Sequence, residues 1–430
     1  MVAGRSVIVK PARSIKGALR LPGDKSISHR YAMLAGLADG TSHFENFSSA
    51  ADCASTLACM EQLGCTVKHE GTTVEMAGTG GKLHAPSRAL DCGNSGSTMR
   101  MLAGILAAQP FRSEMFGDAS LSRRPMKRIM DPLALMGARI TASEGNRPPL
   151  AIEGAALKGI HYETPVASAQ VKSCVMLAGL YASGETVVEE PVRTRDHTEL
   201  ALKAFGGEVQ RSANSASLRG GQKLHGIEAV VPGDISTATF FQCAAAMLPD
   251  SNLVLDDVLL NPTRAAILDV LTELGMQIHF LKVEEVHGEL IGTVQITGGG
   301  CKGLNISGAT AALLIDELPM LAALGPYTQE GVDIRDAAEL RVKESDRIAT
   351  VVENLKRMGV EVEERADGLR VPGRQQPRGA VIESHDDHRI AMAFSIAALA
   401  AEGESQINGA EAVAVSFPQF YETLESVLER

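Results

Sequence analysis

Glycines that end helices recur along this chain at a near-regular interval, and this restricts its possible folds more than any other feature. An apolar residue followed by Gly and then a β-prone run occurs at Leu63-Gly64, Met136-Gly137, Phe205-Gly206, Leu274-Gly275 and Met358-Gly359. The spacing is roughly 70–85 residues, the kind of period that marks repeat architecture. Glycine just past a helix supplies the left-handed backbone that closes it. The following residues (Cys65-Thr-Val, Ala138-Arg-Ile, Gly207-Glu-Val, Met276-Gln-Ile, Val360-Glu-Val) each predict a strand. A second series interleaves with the first. Polar or small-residue starts lead into Ala/Leu/Met-rich helices at Asp24–Leu37, Gly93–Ala107, Ser168–Leu180, Asp234–Met247, Asp316–Leu324 and Asp386–Leu399. A last helix is predicted over Phe417–Leu428, with Pro418 in its first turn. Short Val/Ile/Thr runs separate the helices at Val7–Val9, Leu150–Ile152, Thr186–Glu189, Leu253–Leu255, Val294–Ile296 and Val381–Ile382. The pattern is α/β: six similar units, each a few strands plus two helices, with mixed sheets.

One pair of turns divides the six units into halves. Leu21-Pro-Gly-Asp-Lys-Ser resembles Val231-Pro-Gly-Asp-Ile-Ser about 210 residues on, with three units between them. The chain is expected to cross between domains at both turns. One domain is then 22–232, and the other is 1–21 joined to 233–430. The glycine-containing crossings would permit closure of one domain on the other. With 430 residues the chain can fill two or three cores.

Composition narrows the function. Net charge is −11, from 41 basic and 52 acidic side chains, and Trp is absent. An acidic total with few aromatics argues against non-specific DNA binding, nucleobase stacking or an anionic membrane surface. It leaves room for a local basic pocket. Seven scattered cysteines without a CxxC pair read as buried reduced thiols. Met1-Val-Ala-Gly-Arg-Ser lacks an apolar signal core, and the Ala-rich stretch near Ala391–Ala401 is too short to span a bilayer. The expected location is the cytoplasm.

Basic residues cluster at the predicted helix starts. Lys25 follows Pro22-Gly23-Asp24, where a helix dipole already favours an anion, and Arg30 lies about one turn on. A cation gains nothing from that dipole unless an anion joins them, although an isolated K-S-x-S-x-R also suits a plain basic turn. Gly93-Asn-Ser-Gly96-Ser-Thr-Met-Arg100 places small residues where backbone can approach a ligand. It is neither a Walker A loop nor a Rossmann fingerprint. Arg123-Arg124-Pro125-Met-Lys127-Arg128 sets Arg124 at a helix entrance and turns Lys127 and Arg128 to solvent. Ser168-Ala169-Gln170-Val-Lys172 and Arg195-Asp-His197 open two further helices, His197 reading as a local cap partner. Asp316 suits an N-cap. Arg341-Val-Lys343-Glu344-Ser-Asp346-Arg347 reads as a charged helix face on which like-charged Lys343 and Arg347 fit better with an anion between them. His385 and His388 have metal-capable side chains but lack an HExxH or cysteine partner, so no metal is expected. If the halves face each other, these starts converge on one cleft for a ligand with more than one phosphate or carboxylate.

Taken together, the motifs resemble one family from end to end. P-G-D-K-S-I-S-H-R at 22–30, G-N-S-G-S-T-M-R at 93–100, R-R-P-M at 123–126, S-A-Q-V-K at 168–172, R-V-K-E-S-D-R at 341–347 and D-H-R-I-A-M at 387–392 are similar to those of the 3-phosphoshikimate 1-carboxyvinyltransferases, or EPSP synthases. The resemblance implies a two-domain inverse α/β barrel, three units per domain, with helix N-termini facing the interdomain cleft. It implies transfer of the enolpyruvyl group of phosphoenolpyruvate to shikimate 3-phosphate, with no metal or organic cofactor. Carried over, the catalytic residues are Lys25, Asp316 and Glu344. Shikimate 3-phosphate would be held by Lys25, Ser26, Arg30, Ser168, Ala169, Gln170, Arg195, Asp316 and Lys343. Phosphoenolpyruvate would be held by Lys25, Gly96, Arg124, Gln170, Arg347 and Arg389. The expected partners are these small molecules and the inhibitor glyphosate, without nucleic acid or membrane, for a monomeric enzyme.

The sequence also departs from the family pattern. Val415 stands where many members carry Lys before [ST]-F-P, Glu339 replaces a frequent Asn, and S-A-Q replaces S-S-Q. These features resemble the subgroup that includes glyphosate-tolerant bacterial forms, although Gly96 is the small residue of sensitive ones. Two rivals remain at this point. UDP-N-acetylglucosamine 1-carboxyvinyltransferase shares the implied fold, but it usually carries a Cys, sometimes an Asp, before R-P; Gly117–Pro125 has Asp118 and no Cys. A catalytically silent phospholigand-binding protein is the other, and Lys25, Asp316 and Glu344 together argue against it.

Overall fold

Among the described residues, the strands form six sheets, five of which contain the same strand order. The computed structural model describes residues 5–298 and 300–430. Residues 1–4, part of the N-terminal stretch discussed above, and Gly299 lie outside the described residues.

The repeat is clearest in the strands Leu90–Asp91, Arg112–Phe116, Arg139–Ser143 and Arg147–Glu153. The first two pair in parallel; the fourth then pairs antiparallel with both the second and the third. A parallel pair needs a crossover, and helix Gly96–Leu106 supplies it. Helix Lys127–Leu135 connects the second strand to the antiparallel pair. The unit is therefore βαβαββ. The same pairing recurs in His161–Glu163, Glu185–Glu189, Gln210–Arg211 and Ser215–Arg219. It recurs again in Thr41–Glu45, Thr66–Glu70 and Thr73–Ala77, whose parallel partner Glu228–Val230 comes from the far end of the segment. The stretch between the two Pro-Gly-Asp turns thus closes on itself. Elsewhere, Ser14–Arg20 is the parallel partner of Asn252–Leu259, and Gly303–Ile306 of Gly331–Ile334. The sixth sheet joins Val7–Val9, Ser405–Asn408 and Val381–Glu383.

The chain divides into two compact units. One comprises Met1–Leu21, Pro232–Glu285 and Leu290–Arg430, and the other comprises Pro22–Val231 with the short segment Val286–Glu289. No turn motif signals that last segment.

The helix-ending glycines do what their position requires. Gly64, Gly137, Gly206, Gly275 and Gly359 all have positive φ, between 77° and 106°. The polar-start helices are the inner ones of each unit. Helices Lys25–Leu37, Gly96–Leu106 and Ala169–Gly179 bury nearly every side chain beyond their first turn. Helices Ile235–Met247, Leu318–Leu324 and His388–Ala398 do the same in the other unit. Their small residues let backbones meet: a Cβ on Gly104 would lie 2.1 Å from the Cys174 carbonyl oxygen on the neighbouring helix.

Two local expectations change. The last helix is only Phe420–Glu425, preceded by the 3₁₀ turn Ala410–Val415. Leu428 and Glu429 instead pair as a strand with Ser14 and Ile15. The helix beyond Asp316 begins at Leu318, with Glu317 and not Asp316 at its N-cap position. All seven cysteines are free and buried, and burial pushes the Cys65 thiol up to about 12 and that of Cys301 to about 11. No helix of the described residues is long and apolar enough to cross a membrane.

The Gly104 contact gives a stability test. Gly104→Ala forces the helix backbones apart and is expected to destabilise its unit by about 1–3 kcal/mol in urea unfolding. A change below about 0.5 kcal/mol would show that the close approach carries no constraint.

Candidate active site

In the Pro22–Val231 unit, four inner-helix or turn starts carry the polar groups. Asp24 caps helix Lys25–Leu37 by accepting from the Ile27 amide at 2.8 Å. This fixes Lys25 and Ser26 in its first turn. The Lys25 ammonium donates to Asp52 Oδ2 at 3.0 Å, a partner 27 residues away. Arg30, one turn on, is 4 % exposed. Its Nε donates to Thr198 Oγ1 at 2.7 Å, Nη1 to the Ser26 carbonyl at 2.9 Å and Nη2 to Ser173 Oγ at 2.8 Å. All three acceptors are neutral. Burial therefore dominates and lowers the Arg30 pKa to about 10; Arg195 also lowers it, while Glu199, Asp24 and Glu289 oppose the change.

The other starts supply more donors. Ser95 caps helix Gly96–Leu106 through the Thr98 amide at 3.0 Å. One turn in, Arg100 Nη1 donates to Gln170 Oε1 at 2.7 Å, and Gln170 Nε2 donates to Ser97 Oγ at 2.9 Å. Both amide atoms of Gln170 are thereby oriented. A Cβ at Gly96 would stand 3.0 Å from Arg100 Nη1 and 3.4 Å from Arg124 Nη1. Arg124 does not open a helix: it is extended, after the 3₁₀ turn Leu121–Arg123, and the next helix begins at Lys127. Its Nη2 donates to Asn94 Oδ1 at 2.8 Å and Ser120 Oγ at 3.1 Å. Lys127 is solvent-exposed as expected, paired with Asp131. Ser168 caps helix Ala169–Gly179. Below it, the buried Lys172 ammonium meets Glu190 at 2.8 Å and Glu199 at 2.9 Å. Glu190 also accepts from the hydroxyl of Thr194, which ties down the turn carrying Arg195. His197 is not a local cap partner. Its Nδ1 lies 2.6 Å from Glu289 Oε1, with both side chains buried.

The other unit gathers Asp316, Lys343, Glu344, Arg347 and Arg389. Arg347 is 1 % exposed. Its Nε donates to Asp387 Oδ2 at 2.8 Å, and its Nη2 to Glu344 Oε2 at 2.6 Å. Its Nη1 lies 3.6 Å from Asp316 Oδ1. Burial alone would lower the Arg347 pKa, but Asp387, Glu344 and Asp316 outweigh it and hold the guanidinium above its ordinary value. Lys343 Nζ is 3.7 Å from the same Asp316 oxygen. An anion does lie between Lys343 and Arg347, and it is Asp316. The stretch is not one helix face, however. Ala338–Val342 is a 3₁₀ turn, Lys343 is extended, and Asp346 caps a helix that starts only at Arg347. Arg389 Nη1 donates to the Asp316 carbonyl at 2.7 Å. Of the histidines considered for metal, exposed His385 bonds Glu353 at 3.0 Å, while His388 is buried. Glu339, at the departure from the family pattern, is exposed.

Sequence reasoning missed Asp52, Ser173, Thr198, Glu190, Glu199 and Asp387 as partners of these cations. Their partners lie 18 to 168 residues away along the chain, where no local pattern reaches. Asp387 had a signal, since it precedes a helix and suits a cap; it accepts from the Arg389 amide at 2.9 Å.

A repeated βαβαββ fold whose inner helix starts carry Lys, Arg, Ser and Gln beside carboxylates defines a transferase of the enolpyruvyl transferase type. The sequence profile of the EPSP synthase (3-phosphoshikimate 1-carboxyvinyltransferase) family matches residues 9–424. The 3-phosphoshikimate 1-carboxyvinyltransferase of Koribacter versatilis (strain Ellin345) is 62% identical over 427 residues, 99% of this chain and 100% of that one. The Solibacter usitatus (strain Ellin6076) protein of the same name is 55% identical, over 98% and 99% of the two chains. A solved structure of EPSP synthase from Acinetobacter baumannii superposes with a TM-score of 0.88 at 43% identity, covering 98% of each chain. This chain belongs to the EPSP synthase family.

The site predicts a pH effect on stability. His29 is fully buried, with Nδ1 2.7 Å from Thr56 Oγ1. Burial, then Lys25 and Arg30, lower its pKa well below 6.5. The folded protein refuses a proton that the unfolded chain accepts. The stability from a neutral His29 is fully present above pH 6.5 and is lost as pH falls toward the folded pKa. The slope is up to about 1.4 kcal/mol per pH unit. Thermal melts between pH 7 and 5 should show a shallower decline in His29→Asn than in wild type. Parallel declines would contradict this origin.

Proposed function

We propose that this chain transfers the enolpyruvyl group of phosphoenolpyruvate to the 5-hydroxyl of shikimate 3-phosphate. The products are 5-enolpyruvylshikimate 3-phosphate and inorganic phosphate, on the route to chorismate and the aromatic amino acids. Relatives carrying that activity as their name match nearly the full length of this chain. The observation that carries the chemistry is Arg30. It is a buried guanidinium with three neutral hydrogen-bond acceptors and a lowered pKa, so an anionic ligand would relieve the cost of its burial.

In this reading Ser26, Arg30, Ser168, Ala169, Gln170, Arg195 and Lys343 hold shikimate 3-phosphate. Gly96, Arg124, Gln170, Arg347 and Arg389 hold phosphoenolpyruvate, whose carboxylate and phosphate suit arginine forks. Lys25 is the cation both substrates share. Asp316 takes the 5-hydroxyl proton as the oxygen attacks C2, and Glu344 gives a proton to C3. Glu344 then takes a proton back from C3 as the C2–O bond to phosphate breaks. The hydroxyl proton leaves with phosphate, so each group works in both directions. The two domains, 22–232 and 1–21 with 233–430, would bring their residues to one ligand pair by closing, excluding water and strengthening these contacts. The enzyme is read as a cytoplasmic monomer.

Phosphate release from phosphoenolpyruvate tests the assignment. Release is expected with shikimate 3-phosphate and not with UDP-N-acetylglucosamine as acceptor. The reverse result would overturn it, and release with neither would favour a silent binder. Glu344→Gln is expected to lose at least about 100-fold in kcat while calorimetry shows unchanged shikimate 3-phosphate affinity. Loss of binding together with turnover would mark Glu344 as structural.

Glyphosate response is proposed to be weakened but not abolished, in keeping with the resemblance to the tolerant subgroup. A methyl on Gly96 would press on the guanidinium groups of Arg100 and Arg124. Gly96→Ala should therefore raise the glyphosate concentration for half inhibition more than it raises KM for phosphoenolpyruvate. Equal inhibition of both proteins would sink this role for Gly96.

A further inference from the structure

The second Pro-Gly-Asp turn has its own structural task. Asp234 caps helix Ile235–Met247, accepting from the Ser236 amide at 2.8 Å and the Thr237 amide at 3.3 Å. This is the local arrangement of the first turn, with Ile235 in place of Lys25. Ser236, the counterpart of Ser26, is only 3 % exposed. Its hydroxyl donates to Glu317 Oε1 and accepts from Arg264 Nη2. Arg264 and Glu317 are each 4 % exposed. The result is a buried Arg–Ser–Glu chain. Its last member is joined by one peptide bond to Asp316 and stands at the start of helix Leu318–Leu324.

Glu317 faces two ways. Its amide donates to the Leu314 carbonyl at 2.8 Å, closing the turn that carries Asp316. Its Oε1 also lies 4.0 Å from Arg389 Nη1, the nitrogen that donates to the Asp316 carbonyl at 2.7 Å. One carboxylate therefore stands against two arginines, one from the brace and one from the proposed phosphoenolpyruvate site. A buried carboxylate needs such partners, and a change at one end of the chain moves the others.

We infer that Glu317, held by Ser236 and Arg264, is a positioning residue for Asp316 and Arg389. The repeat has converted one copy of its substrate-binding turn into the brace for the general base. This rests on the assignment of Asp316 as that base.

The test compares Ser236→Ala and Glu317→Gln, alone and combined with Asp316→Asn. Each single variant is expected to lower kcat about 10- to 100-fold and raise KM for phosphoenolpyruvate several-fold. Calorimetric affinity for shikimate 3-phosphate should stay within about twofold. A purely structural defect would lower Tm and weaken both substrates together. In the Asp316→Asn background, measured by single turnover, the Ser236→Ala effect should shrink to within about twofold, because its target is gone. Should Ser236→Ala not fold, Glu317→Gln, which keeps the side-chain volume, carries the same comparison. A kcat within twofold of wild type in the single variants, or a loss undiminished in Asp316→Asn, would overturn the inference. Wild-type turnover by Asp316→Asn itself would instead overturn the reading of Asp316 as base.

Discussion

A guanidinium that is almost wholly buried must be matched by carboxylates, and Arg347 organises its unit on that condition. Asp387, Glu344 and Asp316 stand at 2.8, 2.6 and 3.6 Å from its nitrogens. Breaking such a buried pair by removing one partner costs about 3–5 kcal/mol. The two carboxylates proposed to move protons are thus fixed by one cation. That cation is in turn fixed by Asp387, the cap of helix His388–Ala398. The arrangement makes the geometry of Asp316 and Glu344 a property of the core of the unit, not of a mobile loop.

The other unit treats its buried arginine in the opposite way. Arg30 is held by a carbonyl and two hydroxyls, and among the described residues no carboxylate lies within ion-pair distance of it. Its pKa falls where that of Arg347 rises, although burial acts downward on both. One arginine has its counter-charges built in, while the other is hydrogen-bonded into place with its charge left to a ligand. The same division separates the two Pro-Gly-Asp turns. Lys25 in the first turn reaches Asp52 at the surface of a helix start, whereas Ile235 in the second is buried and Ser236 turns inward to Glu317. A duplicated fold has specialised one copy for binding and the other for support.

Much of this was legible in the sequence. The glycine spacing gave the units because left-handed helix ends are a local requirement, met at Gly64, Gly137, Gly206, Gly275 and Gly359 alike. The short Val/Ile runs became strands, and the polar starts became the buried helices. The motif residues came from family resemblance, and the family is confirmed over residues 9–424. What stayed hidden was pairing at a distance. A carboxylate such as Asp52 sits in an ordinary helix and shows no sign that it meets Lys25, and Glu289 gives no hint of His197, 92 residues away. The 341–347 stretch misled because i,i+4 counting assumes a helix. Extended Lys343 and the Asp346 cap break that register, and the anion between Lys343 and Arg347 comes from Asp316 instead.

The most direct measurement follows solvent deuterium through the reaction. If C3 of the enol gains a proton and then loses one under the control of a carboxylate held by Arg347, turnover in D₂O must leave deuterium at C3 of the enolpyruvyl product, seen by NMR. Arg347→Lys keeps a charge but loses the fork that holds Glu344 and Asp387 together, so both turnover and deuterium uptake should fall while shikimate 3-phosphate still binds. Unlabelled product from the wild-type enzyme, or wild-type turnover by Arg347→Lys, would contradict the account.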